Sequence, residues 1–167
     1  MIVVSAFQTI ADKGHVPSLD EGVILDTQVL IDFAFQHRPR HEAAVRLFES
    51  LRSTDIPVVI PGHAIFEYQS AFRQASNDPS SELAPQARSA QLYHLYPVSI
   101  DQALFDASAR FSLPRLRGGD LVFVALAAVL ERPLVTEDSE IRGKAAELQV
   151  SVHSINEYLQ GGAHQIP

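Results

Sequence analysis

The sequence predicts an α/β domain with a central parallel sheet and helices on both faces. Three observations lead there. Apolar runs of strand length alternate with segments of helical periodicity along the chain. The strand-like runs Val23-Ile24-Leu25, Pro57-Val58-Val59-Ile60 and Leu134-Val135-Thr136 are continuous instead of alternating, as in strands buried on both faces. Acidic residues follow the ends of such runs, and right-handed crossovers would bring every C-terminal strand end to one edge of the sheet. Ligands of open α/β sheets bind along that edge.

The elements follow in order. Residues 1–22 precede the first buried strand, with a short extra strand expected over 1–7 and a loop at 13–17. Asp26 and Thr27 follow Leu25, and Val29, Leu30, Phe33 and Ala34 then fall at helical spacing, so Asp26 sits where a strand ends and a helix begins. His37-Arg38-Pro39-Arg40-His41 is a loop dense in potential positive charge. A helix follows over 41–53 with Ala44, Val45, Leu47, Phe48 and Leu51 on its apolar side. The strand over 57–60 is closed by Pro61 and Gly62, a helix runs over 63–75, and residues 77–81 break the chain. A helix is expected over 82–93, where Pro85 is tolerable only in the first turn. A short strand over 95–100 leads to Asp101, which caps a helix to 109. A turn over 113–119 carries Arg115 and Arg117. The helix over 120–131 is apolar nearly all round, which makes it central. A strand over 134–136, a helix over 139–148, a strand over 150–155 and a helical turn over 156–160 complete the pattern. The expected division is an extension over 1–22, one domain over 23–160 and a tail over 161–167.

Composition narrows the function classes. Hydrophobic residues make up 46% of the 167, enough for one domain with a proper core. With a net charge of −7, any nucleic-acid contact must come from local basic patches and not from the global field. The absence of cysteine excludes disulfides and thiolate metal sites. The longest apolar run, over 121–130, is about half a membrane span, and no basic stretch precedes the apolar N-terminal residues. A cytoplasmic protein without membrane contact is expected.

Four acids fall on the strand-end edge: Asp26, Glu67, Asp120 and Asp138. Singly, each aspartate is accounted for as a helix cap, and Glu67 as a flank residue reaching solvent. Gathered on one edge, they would repel one another and their pKa values would rise. A divalent cation would remove that penalty, and oxygen ligands without cysteine favour Mg²⁺ or Mn²⁺. Such a site polarises a phosphodiester and lowers the pKa of an attacking water. Thr136 could orient that water or a ligand carboxylate.

The motifs in order are Ile24-Leu25-Asp26-Thr27 with Val29-Leu30-Ile31, Glu67 in an apolar helix, Gly118-Gly119-Asp120 before the apolar helix, and Leu134-Val135-Thr136-Glu137-Asp138. Together they resemble PIN-domain ribonucleases, and within them the VapC-type toxins of bacterial toxin–antitoxin systems. The resemblance covers roughly residues 23–158. It implies a PIN-like α/β fold, an acidic pocket binding Mg²⁺ or Mn²⁺, and hydrolysis of RNA. It implies Asp26, Asp120 and Asp138 as metal ligands, Glu67 acting through water or from behind them, and Thr136 as the hydroxyl near the site. It also implies a homodimer and a cognate antitoxin protein as partner. The chain departs from the family in its N-terminal extension, in Gln28, where Ser or Asn is usual, and in the additional acid Glu137, expected to be a solvated neighbour.

Arg115 and Arg117, just before Asp120, are candidates to hold substrate phosphates, and Arg38 and Arg40 are secondary candidates. His63 lies one helical turn from Glu67, but a helix-start histidine needs no catalytic role. Phe66, Tyr68, Phe72, Tyr93 and Tyr96 do not interleave with basic residues as a base-stacking platform would, and are expected in the core or a dimer contact. Asp32 is expected to face solvent. An aspartyl-nucleophile phosphatase would need a second aspartate two residues after the first, and Gln28 stands there. A phosphoacceptor receiver would need a lysine after a late strand, and the only lysines are Lys13 and Lys144. The alternatives within the fold are a housekeeping RNA-processing nuclease and a catalytically idle interaction protein.

Overall fold

Val23, Ile24 and Leu25 are each 0% exposed. Successive strand residues point to opposite faces, so both sides of this strand are covered. In the computed structural model, which describes residues 22–76, 95–144, 147–148 and 150–161, that strand is the centre of the sheet. The strands are β1 (Val23–Leu25), β2 (Val58–Pro61), β3 (Leu95–Val98), β4 (Leu134–Val135) and β5 (Val152–His153). The helices are α1 (Thr27–Ala34), α2 (His41–Ser53), α3 (His63–Ser76), α4 (Gln102–Ser108), α5 (Gly118–Leu130), α6 (Ser139–Gly143) and α7 (Ile155–Gly161). The strands pair in the order β3-β2-β1-β4-β5, all parallel, with Ile24 between Val59 and Leu134. This is the expected sheet.

The central helix is α5, whose residues from Phe123 to Val129 are all buried. It packs on β1, β2 and β4, while α1 packs against α2 and α3 and α2 against α7. Phe33 and Phe48 stack 4.2 Å apart between α1 and α2. No helix among the described residues is long and apolar enough to cross a membrane.

Several boundaries differ from the sequence reading for local reasons. Helix α5 begins at Gly118, so Asp120 lies inside the first turn and does not cap it; the cap position is Arg117. Strand β5 stops at His153 because Ser154 and Glu157 form a capping box: Ser154 N–H donates to Glu157 Oε2 at 2.7 Å and Glu157 N–H donates to Ser154 Oγ at 3.2 Å. Helix α7 accordingly starts at Ile155. Strand β3 ends before the backbone turns at Asp101, whose side chain accepts from Leu104 N–H at 3.1 Å and caps α4 as expected. Helix α6 closes at Gly143, with Lys144 N–H donating back to Glu140 and Ile141 carbonyls. The expected strand over 1–7, the loop at 13–17, the break at 77–81, the helix over 82–93 and the tail beyond residue 161 lie outside the described residues.

Candidate active site

The strand order reverses between β1 and β4: from β1 the chain steps outward to β2 and β3, then returns to the other side for β4 and β5. Loops leaving β1 and β4 therefore part in opposite directions and leave a crevice at the carboxyl ends of the strands. Asp26 leaves β1 there, and Asp138 follows β4.

Asp26 is held from three sides. Its N–H donates to Val135 O of β4 at 3.1 Å. Its Oδ1 accepts from Gln28 N–H at 3.2 Å, capping α1, and its Oδ2 accepts from Thr136 Oγ1 at 2.6 Å. Thr136 is wholly buried, and its Oγ1 in turn accepts from Asp138 N–H at 3.0 Å. Asp138 caps α6 through Oδ1, which accepts from Glu140 and Ile141 N–H at 2.7 and 2.9 Å. One hydroxyl thus ties the Asp26 carboxylate to the Asp138 backbone across the switch point. The cap reading holds for both, and it leaves Asp138 Oδ2 without a protein donor among the described residues.

Glu67 comes from α3 and Asp120 from the first turn of α5. Thr27 Oγ1 donates to Glu67 Oε2 at 2.5 Å, fixing one side of a carboxylate that is otherwise about half exposed (48%). A Cβ on Gly119 would stand 3.8 Å from both Glu67 Oε1 and His63 Nε2, so the start of α5 lies directly against these side chains. His63 Nε2 is 3.9 Å from Glu67 Oε1, and its ring meets Phe123 edge-on at 5.2 Å.

Two of the acids, Asp26 and Asp120, have raised pKa values. Burial pushes the Asp26 carboxyl above the usual carboxylate range, and the charges of Asp120 and Asp138 push the same way; the hydrogen bonds from Thr136 and Gln28 oppose them. Asp120 is also raised, by burial first and then by Asp138, with Arg117 pulling down and Glu140 and Glu67 pushing up. The acids surround a cleft of about 470 Å³ lined by Asp26, Glu67, Asp120 and Asp138, with Glu137 and Arg40 also in its wall.

The donor chemistry fits a hard divalent cation: oxygen atoms only, and charges whose mutual repulsion an ion would relieve. Among the described residues no group of three or more histidine, aspartate or glutamate side chains is placed to hold a metal ion.

Two expectations are corrected. Asp32 does not face solvent: it is 0% exposed, and its oxygens accept from Arg38 Nε and Arg40 Nε, each at 2.8 Å. A buried carboxylate needs such partners, and the basic loop following α1 supplies them. Glu137 is not a solvated neighbour, since its Oε1 accepts from Ile155 N–H at 2.8 Å and satisfies a free donor at the start of α7. Of the two places expected for the aromatics, core or dimer contact, Phe66 at 74% exposed is not in the core. Phe72 and Tyr93 have no described side chains. Arg115 and Arg117 are both exposed and neither lines the cleft. Arg117 acts on Asp120 through its charge, whereas the Arg115 carbonyl accepts from Lys144 Nζ. The sequence reading assigned no partners to Thr27 and Asp32. The hydroxyl beside Asp26 was the available signal for the first, and the paired arginines after α1 for the second.

The sequence profile of the PIN domain family matches residues 23–147. No curated protein matches the chain by sequence. Among solved structures, a chain in the crystal structure of VapBC2 from Rickettsia felis bound to a DNA fragment from their promoter is similar in fold. Its TM-score is 0.57 at 14% identity, covering 79% of this chain and 97% of that one.

Proposed function

The chain belongs to the PIN domain family, and from that premise we propose that it is a Mg²⁺- or Mn²⁺-dependent ribonuclease, the toxin of a toxin–antitoxin pair. The observation that carries the reading is the pairing of Asp26 and Asp120. Both carboxyls are pushed up by burial and by other acids, in one cleft at the switch point of the sheet. Acids arranged this way are destabilising without a cation, so their gathering has a use only when one binds.

In this reading Asp26, Asp120 and Asp138 hold the ion, and Glu67 contributes through water. When bound, the ion polarises the phosphodiester and lowers the pKa of an attacking water. The chain's own residues do the rest. Thr136 orients the Asp26 carboxylate, the first N–H groups of α6 orient that of Asp138, and Thr27 orients that of Glu67, so these oxygens would need little rearrangement when substrate arrives. Glu67 is exposed enough to accept a proton from water at the cleft. Arg117 and Arg115, on the approach to α5, would contact phosphates of the RNA.

The likeness in fold to a chain of the VapBC2 structure, bound to a DNA fragment from their promoter, supports an antitoxin as partner. A homodimer, a cytoplasmic setting and a nuclease domain spanning 23–160 between flanking segments 1–22 and 161–167 complete the proposal. Incubation of the purified protein with an RNA pool tests it. Cleavage should require Mg²⁺ or Mn²⁺, stop with EDTA, and be lost in Asp26→Asn and Asp120→Asn. A folded protein that cleaves no RNA and binds no metal would reduce the reading to an idle interaction protein.

A further inference from the structure

Arg40 is the basic side chain in the cleft wall, and its position is set by a residue outside the cleft. Asp32 is wholly buried, and both of its oxygens are taken by arginines of the loop between α1 and α2. Oδ1 accepts from Arg38 Nε at 2.8 Å and from Gln28 Nε2 at 3.3 Å, and Oδ2 accepts from Arg40 Nε at 2.8 Å. The loop is closed from the other side by His41 Nδ1, 3.1 Å from the Asp32 carbonyl oxygen.

Two features of this cluster exceed a structural need. Two guanidinium charges face one carboxylate, which leaves a surplus positive charge beside a group of acids. And Arg40 uses only Nε: among the described residues its two terminal nitrogens have no hydrogen-bond partner, and its side chain is 42% exposed. A guanidinium fixed at Nε presents its remaining donors as a planar fork in a set direction, the geometry that suits a phosphate. Burying a carboxylate to hold it brings little net stability, so positioning is the better account of Asp32.

We propose that Arg40 binds a phosphate of the RNA next to the one being cut, and that Asp32 is the positioning residue that aims it. The proposal rests on the nuclease reading and adds to it a substrate contact on the side of the cleft opposite in sequence to Arg115 and Arg117. Asp32 never meets the RNA; it acts through Arg40.

The test is cleavage kinetics on a single-stranded RNA oligonucleotide with Mg²⁺, over a series of KCl concentrations, with binding followed by anisotropy of the same labelled RNA. For Arg40→Gln, KM should rise about tenfold with kcat within about threefold. The slope of affinity against log salt should flatten by about 0.7, one phosphate contact on a single strand. Mg²⁺ affinity should not fall. Asp32→Asn should show the same KM and salt effect despite having no access to RNA. Arg40→Lys keeps the charge but cannot use one nitrogen for Asp32 and two others for phosphate, so its KM should stay near the Arg40→Gln value while its salt slope stays near wild type. This variant carries the positioning claim if Asp32→Asn fails to fold. Wild-type KM and salt slope in Arg40→Gln would overturn the proposal and leave the nuclease reading standing. Wild-type KM in Arg40→Lys would overturn the role of Asp32. A wild-type protein that neither cleaves nor binds the oligonucleotide would remove both readings together.

Discussion

Asp26 and Asp32 lie six residues apart, one capping helix α1 and the other inside it, and their surroundings answer their charge in opposite ways. Asp32 is closed off from water and met by two arginines. Asp26 is largely buried and met by Asp120 and Asp138, and among the described residues a hydroxyl and an amide donate to its carboxylate. A buried acid with cationic partners is complete as it stands. A buried acid among other acids is complete only with something added. The difference separates a carboxylate that holds cationic side chains in place from a candidate ligand more clearly than burial does.

The sharpest way to break the comparison is to neutralise one acid on each side. Asp120→Asn removes a proposed ligand and a repelling charge together. RNA cleavage should fall by at least about 100-fold, on the scale of losing a group that stabilises transition-state charge. The melting temperature in EDTA should hold or rise. Asp32→Asn should do the reverse to stability, lowering it by about 2 kcal/mol in a denaturant titration. That is less than the ~3–5 kcal/mol for a fully buried pair, because both arginines are partly exposed.

A pH series sharpens the contrast. The folded protein holds a proton on Asp26 to a higher pH than the unfolded chain does. Between the ordinary carboxylate pKa and the raised one, the folded state therefore binds more protons, and the stability of the metal-free protein should fall as pH rises through that window. Bound Mg²⁺ must displace those protons, so Mg²⁺ affinity should weaken as pH falls through the same window. Melting curves with EDTA and with saturating Mg²⁺ read both effects. The smallest expected effect is that of Glu137→Gln. Loss of the charged acceptor at Ile155 N–H should reduce stability by about 1 kcal/mol, with Mg²⁺ affinity nearly unchanged.

The sheet was legible in the sequence because its strands are continuous apolar runs, and the central helix because residues 121–130 carry no polar face. The four acids were legible because each stands at a fixed offset from one of those runs. Partners between elements were not. Nothing in the spacing of Thr27 and Glu67 places them 2.5 Å apart, since that contact depends on how α1 packs against α3. Asp32 was misread because periodicity on a helix of eight residues cannot tell a solvent face from one covered by a following loop. Glu137 was misread because its partner, Ile155 N–H, comes from an element eighteen residues away. The Ser154 and Glu157 capping box was visible in principle, as a serine followed three residues later by glutamate.

The central claim is that the acids around Asp26 form a cation site, and a Mg²⁺ titration followed by melting temperature tests it most directly. In the wild-type protein, Mg²⁺ at about 100 times its Kd should add about 2.7 kcal/mol of stability. In Asp120→Asn the same titration should produce little change. Equal Mg²⁺ responses in the two proteins, or none in either, would contradict the account.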